Sequence, residues 1–124
     1  MVLTARCENH LYGVDDLDDT IARLVAYRDA GADCVYAPGL TDLRDISRVV
    51  EAVAIPVNVL ALPAAPSVAE LAELGVRRVS TGSLLASAAY AAMLAGASEL
   101  LDRGTSAYAR HVLSRDVRAA ALRR

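Results

Sequence analysis

Residues 2–13, VLTARCENHLYG, begin with residues that suit a buried strand and then place Arg6, Cys7, Glu8, Asn9 and His10 in one short run. A core strand that ends in such a density of chemical groups sets two questions. What sheet does the strand belong to, and what do the groups at its end bind?

Working outward, the same alternation recurs. Asp15, Asp16 and Asp18 supply cap and first-turn acids for a helix whose Ile21, Leu24 and Val25 share one face, and Gly31 ends it. CVYAPG (34–39) reads as a second buried strand closed by Pro38 and Gly39. Thr41 or Asp42 caps a second helix that carries Leu43, Ile46, Val50 and Val53, and IPVNVLAL (55–62) is a third strand. Ser67 and Glu70 match a capping box, which starts a short helix ending at Gly75. VRRVSTG (76–82) is a fourth strand, and a long Ala-rich helix follows from about Leu84 to Leu101. Residues 107–123 read as one further helix.

Four continuous apolar strands, each followed by a helix, predict a parallel sheet covered by helices. Four such units form either a small open α/β sheet or half of an eight-unit barrel. At 124 residues the chain can hold one domain with a core, but a complete barrel typically needs ~250. The expected division is a half barrel over 1–104 and a helical extension over 105–124.

Hydrophobic residues make up 55% of the chain, mean hydropathy is +0.33, and Phe and Trp are absent. An Ala- and Leu-rich surplus without these large aromatics fits close-packed helices or a surface that something else covers. LLASAAYAAMLAGA (84–97) is too short and too rich in Ala to predict a membrane span, which needs ~20 apolar residues. The chain opens without a cationic segment leading into an apolar core, so a cytoplasmic protein is expected. Net charge is −2, and all thirteen basic residues are Arg, which is no nucleic-acid footprint. Arg115, Arg118, Arg123 and Arg124 read as the favourable C-terminal end of a helix dipole. Cys7 and Cys34 lack a metal-ligand spacing and read as reduced core thiols.

TARCENHLYG (4–13), DLDDTIARLVAYRDAGADCVYAPGL (16–40), PVNVLA (56–61) and SVAELAELGVRRVSTGSLL (67–85), in this order, resemble the isocitrate lyase/phosphoenolpyruvate mutase superfamily. More narrowly they resemble bacterial members described only as family proteins. The similarity spans about residues 2–108. It implies a parallel (β/α)4 half of a TIM (β/α)8 barrel, strands five to eight with their helices plus a C-terminal helix. It further implies Mg²⁺-dependent lyase or mutase chemistry on a small carboxylate or phosphonate, with the metal ligands on strands one to four, outside this sequence.

Arg6 stands where a strand-end side chain faces the mouth of such a barrel, and its planar fork can pair with a carboxylate through two charge-assisted hydrogen bonds. The resemblance assigns it, with Asn58, to substrate binding. Burying the Asn58 amide requires a hydrogen-bond partner, and a tie between neighbouring strands is the alternative role. Glu8 and Asn9 are read as supporting residues, Glu8 by orienting Arg6. His10 reads as a packing or surface residue. Thr81, Gly82 and Ser83, at a strand end leading into a helix, can bind an anion or simply cap that helix. Gly39 departs from the superfamily's methylisocitrate lyases, which carry a glutamate just after this proline, and so points away from that activity. The small residues of helix 84–101 predict a contact between subunits of a homo-oligomer.

Overall fold

The computed structural model describes residues 1–121 and 123, and Arg124 of the cationic cluster lies outside the described residues. Four strands form one parallel sheet in the order of the chain: β1 (Thr4–Arg6), β2 (Cys34–Tyr36), β3 (Val57–Leu60) and β4 (Arg78–Ser80). The strands are shorter than the apolar runs that encode them. Their flanks still pair with the sheet, as where the Cys7 amide donates to the Tyr36 carbonyl at 2.9 Å and the Ala61 amide donates to the Ser80 carbonyl at 2.8 Å.

Two compact units divide between Gly82 and Ser83, so the long helix groups with the C-terminal segment. The first unit holds the sheet and helices α1 (Leu17–Asp29), α2 (Leu43–Val53) and α3 (Val68–Glu73). Each helix starts at a predicted side-chain cap. Asp16 accepts from the Asp19 amide, Asp42 from the amides of Arg44 and Asp45, and Ser67 and Glu70 complete the capping box. Arg28 of α1 donates to the carbonyls of Ala52 and Val53, 3.2 Å away in both cases, and so satisfies the free C-terminal end of α2.

The core lies between sheet and helices. Leu24 from α1, Ile46, Val49 and Val53 from α2, and Leu71 from α3 close on Val35, Val57 and Val59. Side chains alternate along a strand, so Arg6, Tyr36, Asn58 and Arg78 occupy the opposite face. That face is concave. Flat strands at roughly 4.8 Å spacing would set β1 and β4 about 14 Å apart, yet Arg78 Nη1 of β4 comes within 3.5 Å of Thr4 Oγ1 of β1. The edges curl toward each other, as strands of a barrel wall do.

The second unit holds α4 (Leu84–Arg103), a 3₁₀ turn at Ala107–His111 and α5 (Arg115–Ala121). The single helix expected over 107–123 is therefore broken. A helical approach would require the chain to continue from Val112, which instead is extended (ψ 154°), and Ser114 then begins a new turn by accepting from the Val117 amide. Arg115 consequently opens α5 and only Arg118 lies in its last turn, so the cluster is not the single favourable helix end predicted. By length and composition α4 is long and apolar enough to cross a membrane, contrary to the reading of 84–97 alone, because the helix extends to Arg103. Its one buried residue is Gly96, where an added Cβ would sit 3.2 Å from the Tyr108 ring. Glu99 clasps the same turn: it accepts from Thr105 Oγ1 and the Ala107 amide at 2.6 Å each, and from the Tyr108 amide at 3.0 Å.

Candidate functional site

In a parallel pair, residues in register share a face. Arg6 pairs with Tyr36 and Tyr36 with Asn58, so these three side chains stand in one row across the concave face. Arg6 occupies the C-terminal end of β1, and its guanidinium is held on two sides. Nε donates to Glu8 Oε1 at 2.6 Å, and Cζ lies 5.0 Å over the centre of the Tyr36 ring. The Glu8 bond pushes the Arg6 pKa further above its ordinary value, against a smaller opposing effect of desolvation. With the Arg6 side chain 50% exposed and that of Glu8 36%, the ion pair itself adds about 0–1 kcal/mol to stability. Its consequence is orientation rather than stability.

Asn58 is buried, and its Nδ2 donates to Ser80 Oγ of β4 at 2.9 Å, which ties the two strands. Its Oδ1 has no hydrogen-bond partner among the described residues. An acceptor so placed costs free energy until a donor reaches it, so the amide has spare capacity for a ligand or a water. Both roles read for this residue, strand tie and free polar group, are thus present at opposite ends of one amide.

Asn9 does not join this row. Its amide donates to Asp19 Oδ2 at 2.7 Å and to Thr20 Oγ1 at 3.2 Å, fastening the segment after β1 onto α1. Bonds from Arg23 and Asn9 hold the Asp19 carboxyl below the usual range. His10 is a packing residue: its side chain is only 7% exposed, with Nε2 3.3 Å from Thr20 Oγ1 and Nδ1 3.4 Å from Asp15 Oδ1. The Thr20 hydroxyl donates to the Asp16 carbonyl at 2.8 Å, so its oxygen is the acceptor in the contact with His10 Nε2.

The same segment explains Gly39. Gly39 has φ +94°, and a Cβ there would lie 3.1 Å from the His10 carbonyl carbon. A side chain at Gly39 would therefore be strained by the positive φ and would press on the backbone of His10. Thr81 and Gly82 end the first unit and Ser83 opens the second, at the N-cap of α4, where its side chain makes no capping bond. The capping bond read for Ser83 is therefore absent. Cys7 and Cys34 are buried and free.

Tyr36 escaped the reading of the sequence because an aromatic in an apolar strand signals core. Only the register with Arg6 reveals its second function. Among the described residues no group of three or more His, Cys, Asp or Glu side chains could hold a metal ion. The divalent ion that the resemblance implies therefore has no ligand cluster of this kind among the described residues. In the second unit, a groove of about 610 Å³ runs beside α4, lined by Met93, Gly96, Glu99, Arg103, Tyr108 and His111 among others.

The family model for phosphoenolpyruvate phosphomutase matches residues 1–101. An uncharacterized protein of Mycobacterium tuberculosis (strain ATCC 25618 / H37Rv) is 41% identical over 93 residues, which is 71% of this chain and 36% of that protein. A crystal structure described as a candidate lyase/mutase of Burkholderia cenocepacia J2315 is 51% identical, with a TM-score of 0.88, covering 98% of this chain and 45% of that one. The crystal structure of 2,3-dimethylmalate lyase, from the same superfamily, is 28% identical with a TM-score of 0.73, covering 93% and 40%. The chain therefore spans about a third to a half of the length of the relatives it matches. Its four parallel strands are the (β/α)4 half of the barrel these relatives share. On this sequence match, fold and strand order together, the chain belongs to the phosphoenolpyruvate mutase/isocitrate lyase superfamily.

Proposed function

We propose that this chain forms the acid-binding wall of a lyase or mutase that makes or breaks a carbon–carbon or phosphorus–carbon bond beside a carboxylate. The substrate is a small 2-oxo acid, carboxylate or phosphonate. The observation that carries the reading is Arg6, a half-exposed guanidinium at a strand end on the concave face, whose Nη edge is left open by Glu8 and Tyr36. That edge offers two parallel N–H donors to two substrate oxygens, the geometry of bidentate carboxylate recognition. Asn58 adds a buried amide with one unpaired end in the same row. The dimethylmalate lyase among the relatives acts on a small substituted acid, which supports the substrate class. A divalent ion, expected from the resemblance, would be held by polypeptide outside these residues.

Oxalate, the smallest planar dicarboxylate, tests the reading. Titrated into the 124-residue chain labelled with ¹⁵N, it is expected to shift the Arg6 side-chain resonances saturably, and Arg6→Gln is expected to remove that response. Equal binding by Arg6→Gln, or no binding by the parent chain, overturns the proposal.

A second reading concerns assembly. Tyr90, Met93, Leu94 and Leu101 of α4 are each at least 60% exposed, and β1 and β4 are the outer strands of an open sheet. Both features favour a homo-oligomer that covers α4. Sedimentation equilibrium of the chain and of Leu94→Glu tests it: a parent that sediments as a monomer refutes the reading, whereas a dimer that the variant dissociates supports it. Two buried free thiols and no disulfide favour a reducing, cytoplasmic setting within the same proposal.

A further inference from the structure

Tyr36 sits between the two residues of the acid-binding row, paired in register with Arg6 on one side and Asn58 on the other. It is buried, so its ring does not move freely, and Arg6 Cζ lies 5.0 Å over its centre. A guanidinium has one long edge bearing Nε and one Nη, an end bearing both Nη groups, and two faces. Glu8 occupies Nε at 2.6 Å, and the Tyr36 ring lies to one side, its centre 5.0 Å from Cζ. What remains for a ligand is the end bearing both Nη groups and the opposite face.

We propose that Tyr36 is a positioning residue that, with Glu8, locks the Arg6 plane so that a substrate acid is met end-on by the two Nη groups. The inference rests on Arg6 being the acid anchor and deepens it: the ligand is a flat carboxylate whose two oxygens lie in the guanidinium plane. The ring acts through its negative face, which attracts the cation, and through its bulk, which blocks approach from below. A long arginine side chain left free would order on binding at an entropic cost, and the ring and Glu8 remove part of that cost beforehand. Tyr36 touches Arg6, and the hydroxyl takes no part in the argument, so phenylalanine should replace it.

The test reads the Arg6 side chain directly. In the folded parent chain the Arg6 Hδ and Hε resonances are expected upfield of free arginine, from the ring current, with slowed rotation about Nε–Cζ. Tyr36→Phe should keep both signatures, while Tyr36→Leu should lose both and weaken oxalate binding roughly two- to fivefold, the measure of a partly exposed cation–π contact. Glu8→Gln should speed the rotation and keep the ring-current shift. Unshifted Arg6 resonances in the folded parent overturn the inference without any variant, which covers a Tyr36→Leu that fails to fold. A Tyr36→Leu that folds and retains both signatures overturns it too. Should the signatures be present but oxalate leave them untouched, the acid-anchor reading fails while the lock on Arg6 stands.

Discussion

The two compact units of this chain are built on opposite economies of burial. In the first, strands of three or four residues suffice because Leu24, Ile46, Val49 and Val53 are fully enclosed between helices and sheet. In the second, a twenty-residue helix buries a single glycine, and its contact with the following turn depends on Glu99 and the ring of Tyr108. The first unit is held by the removal of apolar surface from water, which is large and insensitive to pH. Charge-assisted hydrogen bonds at an exposed carboxylate hold the turn in the second, and these are weak and can be titrated away. A stable scaffold with a polar concave row is therefore joined to a unit whose apolar surface remains available for cover.

Breaking the first unit should be costly. Ile46→Ala leaves a cavity at a fully buried position of α2 and is expected to destabilise the fold by about 2–5 kcal/mol in urea denaturation followed by circular dichroism. In the chain diluted to a monomer, the same truncation at Leu94 in α4, 61% exposed, should change that transition little. Gly39→Glu comes next. Positive φ and the 3.1 Å approach of His10 should make it cost roughly 1–3 kcal/mol and free the segment around His10, seen as faster amide exchange at Tyr12 and Val14. If Gly39→Glu is as stable as the parent, the packing account of that glycine fails. Ser67→Ala removes the capping box of α3 and should cost about 1 kcal/mol, with Ser67→Gly costing less.

The smallest effect sharpens the contrast between units. Three hydrogen bonds, led by that from Thr105, hold the Glu99 carboxyl below the usual carboxylate range. A group with a lowered folded pKa stabilises above its unfolded value, and the gain is lost as pH falls through the folded one. The Ala107–His111 turn should thus loosen in acid, below the ordinary range for glutamate, while the first unit keeps its protection. Glu99→Gln should show at neutral pH the faster exchange at Ala107 and Tyr108 that the parent shows only in acid. Equal exchange in parent and variant across that range would mean the clasp does not hold the turn.

Much of the fold was legible in the residues. Apolar runs and turn residues marked the four strands, and Asp16, Asp42 and Ser67 announced three helix starts, because caps and periodicity are local chemistry. Arg6 and Asn58 could be named from the resemblance together with a strand-end charge and a buried amide that needs a partner, and Glu8 from its place two residues after Arg6. The break between Ala107 and Arg115 was not legible, since helix propensity there is unremarkable and the turn is fastened by Glu99 from another element. Nor was the destination of Asn9, which lies one residue from Glu8 yet turns to α1.

The amino-acid sequence by itself determined the βα order, the superfamily and the guanidinium at the end of the first strand. The βα order and the guanidinium follow from spacing and side-chain type, and the superfamily follows from the resemblance of four motifs in order. Tertiary structure alone decided that Tyr36 lies beside Arg6, that His10 packs within 3.1 Å of where a Cβ on Gly39 would stand, and that one end of the Asn58 amide has no partner among the described residues. The reason is physical: strand register and sheet curvature bring together residues far apart in sequence, and neither is encoded within any one segment.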